Sequence, residues 1–189
     1  MLSHNDLKSG VQIIIDGEPY EVLESRPIKM AQRRPIIQSK IKSLISGKIQ
    51  DRNFQQGDVF EEAELEKIEI KFLFSHRGKF GFCEVQNPAN RFELQEEQVG
   101  NGAKFLKSNQ VVAGVKFQNK IINIILPIKV KLKVIEAPPG TKGDRAQSGT
   151  KVVTLETGAQ VNAPLFVEQD DIIEVNTEAG EYAGRAEGQ

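Results

Sequence analysis

The chain has no tryptophan, one cysteine, two histidines and two methionines among its 189 residues. Each shortage excludes something. A single cysteine, Cys83, cannot form an intramolecular disulfide and fits a reducing compartment, so a cytoplasmic location is expected. Two isolated histidines, His4 and His76, supply no Cys/His set with zinc spacing. Without tryptophan, the aromatic content rests on ten phenylalanines and two tyrosines. The longest apolar stretch, near Ile121 to Ile128, is interrupted by Asn123 and Pro127 and is too short for a membrane helix. The polar start, Met1-Leu2-Ser3-His4-Asn5-Asp6, lacks the charged-then-apolar layout of a signal peptide.

Net charge is also scarce, at −1. Its distribution is uneven. From Ser25 to Gln50 stand Arg26, Lys29, Arg33, Arg34, Lys40, Lys42 and Lys48, with no acidic residue between them. From Glu168 onward the balance reverses, with seven acidic residues against Arg185 alone. A segregated basic end is an electrostatic footprint for phosphate, or else a solvated strand face rich in lysine.

What is present is a series of strand signals. Val11–Ile15 and Tyr20–Leu23 flank Asp16-Gly17, a tight-hairpin dipeptide. A polar, basic loop, 26–34, separates the latter strand from one near Ile36. Lys40–Ile45 alternates, turns at Ser46-Gly47 and returns over Lys48–Phe54. Gln56-Gly57-Asp58 and the acidic run Glu61–Glu66 suggest a boundary. A second block pairs Ile68–Phe74 with Lys79–Val85 about His76-Arg77-Gly78. It adds a short strand at Arg91–Leu94, a short helix within Glu96–Leu106, and a hairpin of Val111–Phe117 with Lys120–Leu126 around Asn119.

A third block follows Pro127. In Lys129–Val134, strict alternation puts Lys129, Lys131 and Lys133 on one strand face and Val130, Leu132 and Val134 on the other. After an irregular loop, 138–149, strands are expected at Lys151–Leu155, Ala159–Phe166 and Asp171–Asn176. Short strands at about 8–12-residue spacing point to small barrels or sandwiches. The expected class is all-β, in three domains at 1–65, 66–127 and 128–189, each the size of an SH3-like or OB-type barrel.

Catalytic constellations are missing. Cys83 alternates with Phe82 in an expected strand and reads as core. The acidic run at 61–66 reads as a solvated connection rather than a divalent-ion site. Ser148-Gly149-Thr150-Lys151 lacks the spacing of a phosphate loop. No enzyme activity, metal or cofactor is expected.

Three segments together resemble the bacterial elongation factor P family. Lys40-Ile41-Lys42-Ser43-Leu44-Ile45-Ser46-Gly47 is similar to that family's Lys-x-Lys-Asn-Leu-x-Thr-Gly. Glu136-Ala137-Pro138-Pro139-Gly140 followed by Gly143–Lys151 is similar to its third-domain loop. Lys151, Val153, Gly158, Val161 and Pro164 fall at the spacings of its signature, with Thr154–Gly158 and Pro164-Leu165-Phe166 intact.

The resemblance implies a KOW-like first domain and two OB folds, in an L-shaped, tRNA-like arrangement. It implies a cytoplasmic, monomeric translation factor that binds the 70S ribosome, both rRNA and ribosomal proteins, between the P and E sites. There Lys29, Met30, Ala31, Gln32, Arg33 and Arg34 would contact the CCA end of peptidyl-tRNA and promote bond formation at stalls such as polyproline. Lys40, Lys42, Lys129 and Lys131 would touch tRNA or rRNA backbone. Gly143, Asp144, Arg145, Ala146, Gln147 and Ser148 would lie near the E-site codon and the 30S subunit.

The chain departs from the family at the loop, which there reads Lys-Pro-Gly-Lys-Gly-x-Ala-Phe with a modified Lys or Arg at its tip. Here the ungapped match is Lys29-Met30-Ala31-Gln32-Arg33-Arg34-Pro35-Ile36. Gln32 takes the tip, which excludes lysylation in this register. A one-residue shift brings Arg33 there as a modification site for a loop-modifying enzyme. Arg145 replaces a usual Thr and offers a phosphate contact. Ser148, Ala163 and Asp170 are further departures. Two other classes fit less well. A general OB nucleic-acid module needs exposed aromatics on a basic groove. A factor of the hypusine-bearing type typically has two domains.

Overall fold

The computed structural model describes residues 1–28, 36–139 and 149–186. Its strands form three sheets. The first contains β1 (Leu2–Ser3), β2 (Gln12–Ile15), β3 (Glu18–Ile28), β4 (Ile36–Ser43), β5 (Ile49–Gln55) and β6 (Val59–Glu62), in the order β1-β6-β2-β3-β4-β5. The second contains β7 (Glu66–His76), β8 (Lys79–Glu84), β9 (Arg91–Gln95), β10 (Val111–Phe117) and β11 (Lys120–Ile125), in the order β11-β10-β7-β8-β9. The third contains β12 (Lys129–Glu136), β13 (Thr150–Leu155), β14 (Gln160–Pro164), β15 (Ile172–Asn176) and β16 (Glu181–Arg185), in the order β14-β13-β12-β15-β16. The all-β expectation holds, with three sheets of the KOW and OB type. By compactness the chain divides into two units, residues 1–68 with 113–124, and 69–112 with 125–189.

Turn chemistry explains the hairpins. Asp16 and Gly17 both take positive φ, at 54° and 82°, as do Arg77 and Gly78, at 48° and 75°. Two successive left-handed residues make the primed turn whose twist matches that of paired strands. Gln118 and Asn119 adopt the same conformation, at 46° and 65°, with no glycine.

In the first unit, Leu7, Ile13, Val22, Ile41, Phe54 and Phe60 form the barrel core. Phe54 meets Phe60 edge to face at 4.8 Å between centroids, a favoured aromatic geometry. The unbroken run Ile13-Ile14-Ile15 has a structural cause. Ile13 and Ile15 point into the barrel, while Ile14 faces the opposite way into a second cluster. That cluster joins Ala63, Val115, Phe117 and Ile122, with Leu44, Ile45 and Leu65 packed on it. Asn123 Nδ2 donates to the Leu44 carbonyl at 3.2 Å.

In the second unit, Phe72, Phe80, Phe82 and Phe92 pack as a ring group, Phe82 lying 5.4 Å from Phe72 and 5.9 Å from Phe92. The third sheet encloses Val130, Leu132, Val134, Val153, Leu155, Val161, Ile173 and Val175. One further side chain enters this core from earlier in the chain, Phe105, which is 1% exposed.

Phe105 is positioned by the helical segment, which differs from the single helix expected at 96–106. An α-helical turn, α1 (Glu96–Val99), stops at Gly100, whose φ is +77°, and a 3₁₀ turn covers Asn101–Phe105. Gly102 then packs so closely that a Cβ there would overlap the Leu126 side chain. Lys107 Nζ reaches Glu156 Oε1 at 2.6 Å, and the same carboxylate oxygen accepts the Lys133 amide at 2.8 Å.

Other boundaries also moved. The segment 56–66, expected as a connection, holds β6, which pairs with both β1 and β2. The strand expected at 159–166 ends at Pro164, leaving Leu165 and Phe166 exposed.

Two outcomes are expected. Phe117→Ala should cost about 3–5 kcal/mol and Asn123→Ala about 1 kcal/mol, read as lower midpoints in urea unfolding. Burial pushes the Glu156 carboxyl up. The Lys107 hydrogen bond, the Lys133 amide and both lysine charges outweigh that and hold it below its ordinary value of 4.5. Its stabilisation is therefore full at neutral pH and is lost as pH falls through the lowered value. Glu156→Gln should reduce stability at pH 7 by at most about 1 kcal/mol. In thermal melts the gap should close on acidification below the ordinary carboxylate range.

Candidate nucleic-acid interface

The basic window of the sequence maps onto the β3–β4 hairpin. Register runs from Tyr20↔Ser43 to Ile28↔Ile36, so residues 29–35 connect the paired ends. Lys29, Met30, Ala31, Gln32, Arg33 and Arg34 lie outside the described residues, as do Gly143, Asp144, Arg145, Ala146, Gln147 and Ser148.

Between Val22 and Glu24 the register shifts, two residues of β3 facing one of β4. Such a bulge re-aims the strand and strengthens its twist. Beyond it, Glu24 lies across from Lys40, and Lys40 across from Asp51 on β5. Lys42 lies across from Glu21. Arg26 pairs with Glu24 at 3.4 Å. Thus Lys40 is exposed and Lys42 half-buried, each with a carboxylate across from it. The sequence window held no acid because Glu21, Glu24 and Asp51 stand just outside it. Strand pairing brings them back, and cross-strand charge pairs of this kind stabilise a sheet.

The opposite face of the hairpin is anchored. Ser39 is fully buried, and its hydroxyl meets that of Ser25 at 2.5 Å. One row on, Ile37 lies between Pro27 and Phe54, and Phe54 is buried in the barrel core. The stem therefore continues the first barrel, up to the pair that flanks residues 29–35.

On the third sheet, β12 alternates as expected, with Val130, Leu132 and Val134 buried and Lys129, Lys131 and Lys133 exposed. This lysine row is also partly offset. Lys129 pairs with Glu174 at 3.7 Å and Lys133 with Asp170 at 2.8 Å. The Asp170 hydrogen bond and charge raise the Lys133 pKa. Lys131 lies across from Glu174 in register. Exposed pairs like these contribute little, so a phosphate can displace them cheaply. Near the second loop, Lys151 Nζ donates to the Pro138 carbonyl at 3.0 Å, tying β13 to the residues that precede 140–148.

Sequence reasoning missed one feature of the second sheet. Phe74 is half exposed, although it stands two residues beyond the buried Phe72. The signal was Gly81, a glycine inside a strand pattern, which often marks a bulge or a close approach.

The comparisons with known proteins agree with one another. The profile described as elongation factor P (EF-P) KOW-like domain matches residues 3–60, and that described as elongation factor P, C-terminal, matches 130–185. Elongation factor P of Synechococcus sp. (strain JA-3-3Ab) is 35% identical over 98% of this chain and all of its own length. The protein of the same name from Natranaerobius thermophilus is 34% identical over the full length of both chains. That of Symbiobacterium thermophilum is 38% identical over 98% of this chain and all of its own. Among solved structures, eukaryotic translation initiation factor 5A from Methanococcus jannaschii aligns with a TM-score of 0.50 at 16% identity. It covers 66% of this chain and 92% of that one, a likeness of fold.

The Ser25–Ser39 contact makes a checkable prediction. Either single alanine strands one hydroxyl of a half-buried pair, which should cost about 1 kcal/mol. The double alanine should cost less than the two singles together. A double-mutant cycle on thermal unfolding measures that coupling.

Proposed function

The chain belongs to the elongation factor P family of translation factors, and we propose that it binds the 70S ribosome between the P and E sites, beside a peptidyl-tRNA. Residues 29–34 would there contact the CCA end and hold the reacting ester in place. The ribosome performs the chemistry. The factor contributes positioning, which removes rotational and translational freedom from a slow substrate such as a prolyl-tRNA. On this reading the protein acts as a cytoplasmic monomer in three domains, 1–65, 66–127 and 128–189, one for each sheet.

The observation that carries the reading is the hairpin stem. Its cations are opposed by Glu21, Glu24 and Asp51. Apart from Lys48 at the turn between β4 and β5, the cations of the window that lie outside this paired stem are Lys29, Arg33 and Arg34. A charge-balanced, anchored stem that ends on a basic segment suits delivery of that segment into an RNA-lined site.

The pairing also bears on the tip. Gln32 is equidistant in sequence from the paired residues Ile28 and Ile36. This supports a bare Gln flanked by Arg33 over a shifted register with Arg33 as a modification site. Intact-mass measurement of natively expressed protein should therefore return the unmodified mass. An added mass mapped to Arg33 would select the shifted register and a modifying enzyme.

Lys40, Lys42, Lys129 and Lys131 serve on this reading as backbone contacts, with Lys131 the least compensated of the β12 pair. Residues 143–148 lie toward the E-site codon. Arg33→Glu with Arg34→Glu should lower output of a Pro-Pro-Pro reporter at least tenfold while leaving the melting temperature unchanged. Wild-type protein should co-sediment with 70S ribosomes in a salt-sensitive manner. Absence of co-sedimentation at moderate ionic strength would sink the reading.

A further inference from the structure

The outer face of the β7–β8–β9 strands carries an aromatic that its own alternation should have buried. Ile70 and Phe72 point inward, and two residues on Phe74 would follow them. The register shifts between Phe72 and Phe74, which lie across from Phe82 and Gly81 respectively. The extra residue turns the Phe74 ring out onto the opposite face. There the ring lies directly against Gly81, where a Cβ would stand 2.7 Å from Cε1. Gly81 is thereby covered, while Phe74 itself remains 50% exposed. One side of the ring shields a strand glycine, an arrangement that supports sheets. Its other side faces solvent.

The neighbours on this face are cationic. Lys71, Cys83 and Arg91 share one row, and His76, Lys79 and Gln95 another, with Phe74, Gly81 and Glu93 between them. Lys79 is paired with Glu93 at 3.3 Å. Lys71 is half-buried, and neither it nor Arg91 has an ion-pair partner among the described residues. Glu69, two residues before Lys71 on β7, is a second acid on this face. A fixed aromatic ring with two unpaired cations one row away is the arrangement on which a base stacks while its phosphates are neutralised. OB folds bind oligonucleotides on the same kind of strand face.

We infer that the outer face of β7–β9 is a second RNA-binding surface, on which Phe74 stacks one unpaired base and Lys71 and Arg91 hold the flanking phosphates. The inference uses none of residues 29–34 and stands or falls independently of them. The test uses the full chain with Arg33→Glu and Arg34→Glu, so that binding reads this face. The probe is a fluorescein-labelled oligouridylate of about ten nucleotides, within the span of one OB fold, followed by anisotropy at low salt.

Phe74→Leu keeps the cover over Gly81 but removes the ring. It should weaken binding about fivefold or more, while Phe74→Tyr should retain it. Lys71→Gln with Arg91→Gln should flatten the log–log salt dependence by about 1.4, or about 0.7 per phosphate contact. Photocrosslinking with 5-bromouridine should map to Phe74. Equal binding by Phe74→Leu and its parent, or no measurable binding by the parent, would overturn the assignment. Reduced ribosome binding by Phe74→Leu with unchanged oligonucleotide binding would give the face to a protein contact instead.

Discussion

The burial of Phe105 is the constraint on which much of the second unit depends. The third sheet supplies the rest of the cluster that encloses it, so that core is complete only when residues 101–105 are in place. Several local features follow from this need. Gly100 breaks the α-helical turn, because its positive φ redirects the chain into the 3₁₀ turn that delivers the ring. Gly102 lacks a Cβ where Leu126 passes. Lys104 Nζ sits 5.0 Å from the ring centroid, a cation–π arrangement at the mouth of the site. Lys107 closes the segment onto Glu156. The first unit repeats the strategy with different residues. There the β10–β11 hairpin inserts Val115, Phe117 and Ile122 against Ile14, Leu44 and Ala63.

Burial in both clusters is apolar, and polar contacts only fix geometry around it. Fully burying a phenylalanine is worth about 1.5–3 kcal/mol, whereas an exposed ion pair is worth about 0–1 kcal/mol. Phe105 and Phe117 therefore supply the cohesion. The Asn123–Leu44 bond and the Lys107–Glu156 pair select one orientation. This division leaves charged side chains free for another task. The lysines of β12 and the stem of β3–β4 contribute little to cohesion, and their compensation by neighbouring acids is weak enough to exchange for phosphate.

Alternation made much of the fold legible. Lys129–Val134 could be read residue by residue, because a period of two on a half-buried strand leaves one answer. The turns at Asp16-Gly17 and Arg77-Gly78 were legible for a similar reason, since few residues accept two positive φ values in succession. Failures came where tertiary pairing overrode local pattern. Glu61 and Glu62 read as solvated connection, yet their backbones pair with Ile14 and Ile13 of β2. Leu2–Ser3 is too short to carry any period. The basic window from Arg26 to Lys48 was read correctly along the chain and incompletely in space, because its neutralising carboxylates arrive from the flanks of the hairpin. Phe74 was missed because a bulge inverts the parity of every residue after it, and bulges leave little trace beyond a glycine on the facing strand.

That parity argument also reaches the stem that leads to residues 29–35. In β3 one extra residue, admitted between Val22 and Glu24, sets which side chains of the stem face inward up to Ile28. From Glu24 onward the pairing advances one for one, through Ser25↔Ser39 and Pro27↔Ile37, with no second irregularity. Ile28 and Ile36 form the last pair, and Gln32 is midway between them in sequence. Arg33 by contrast has four residues between it and Ile28 and two between it and Ile36. The half-buried Ser25–Ser39 contact and the Phe54 anchor oppose any slip of the stem, because a one-residue slip would expose Ser39 and Ile37 together. The described strands therefore add to the support for the ungapped register proposed above, with Gln32 rather than Arg33 matched to the family's tip position.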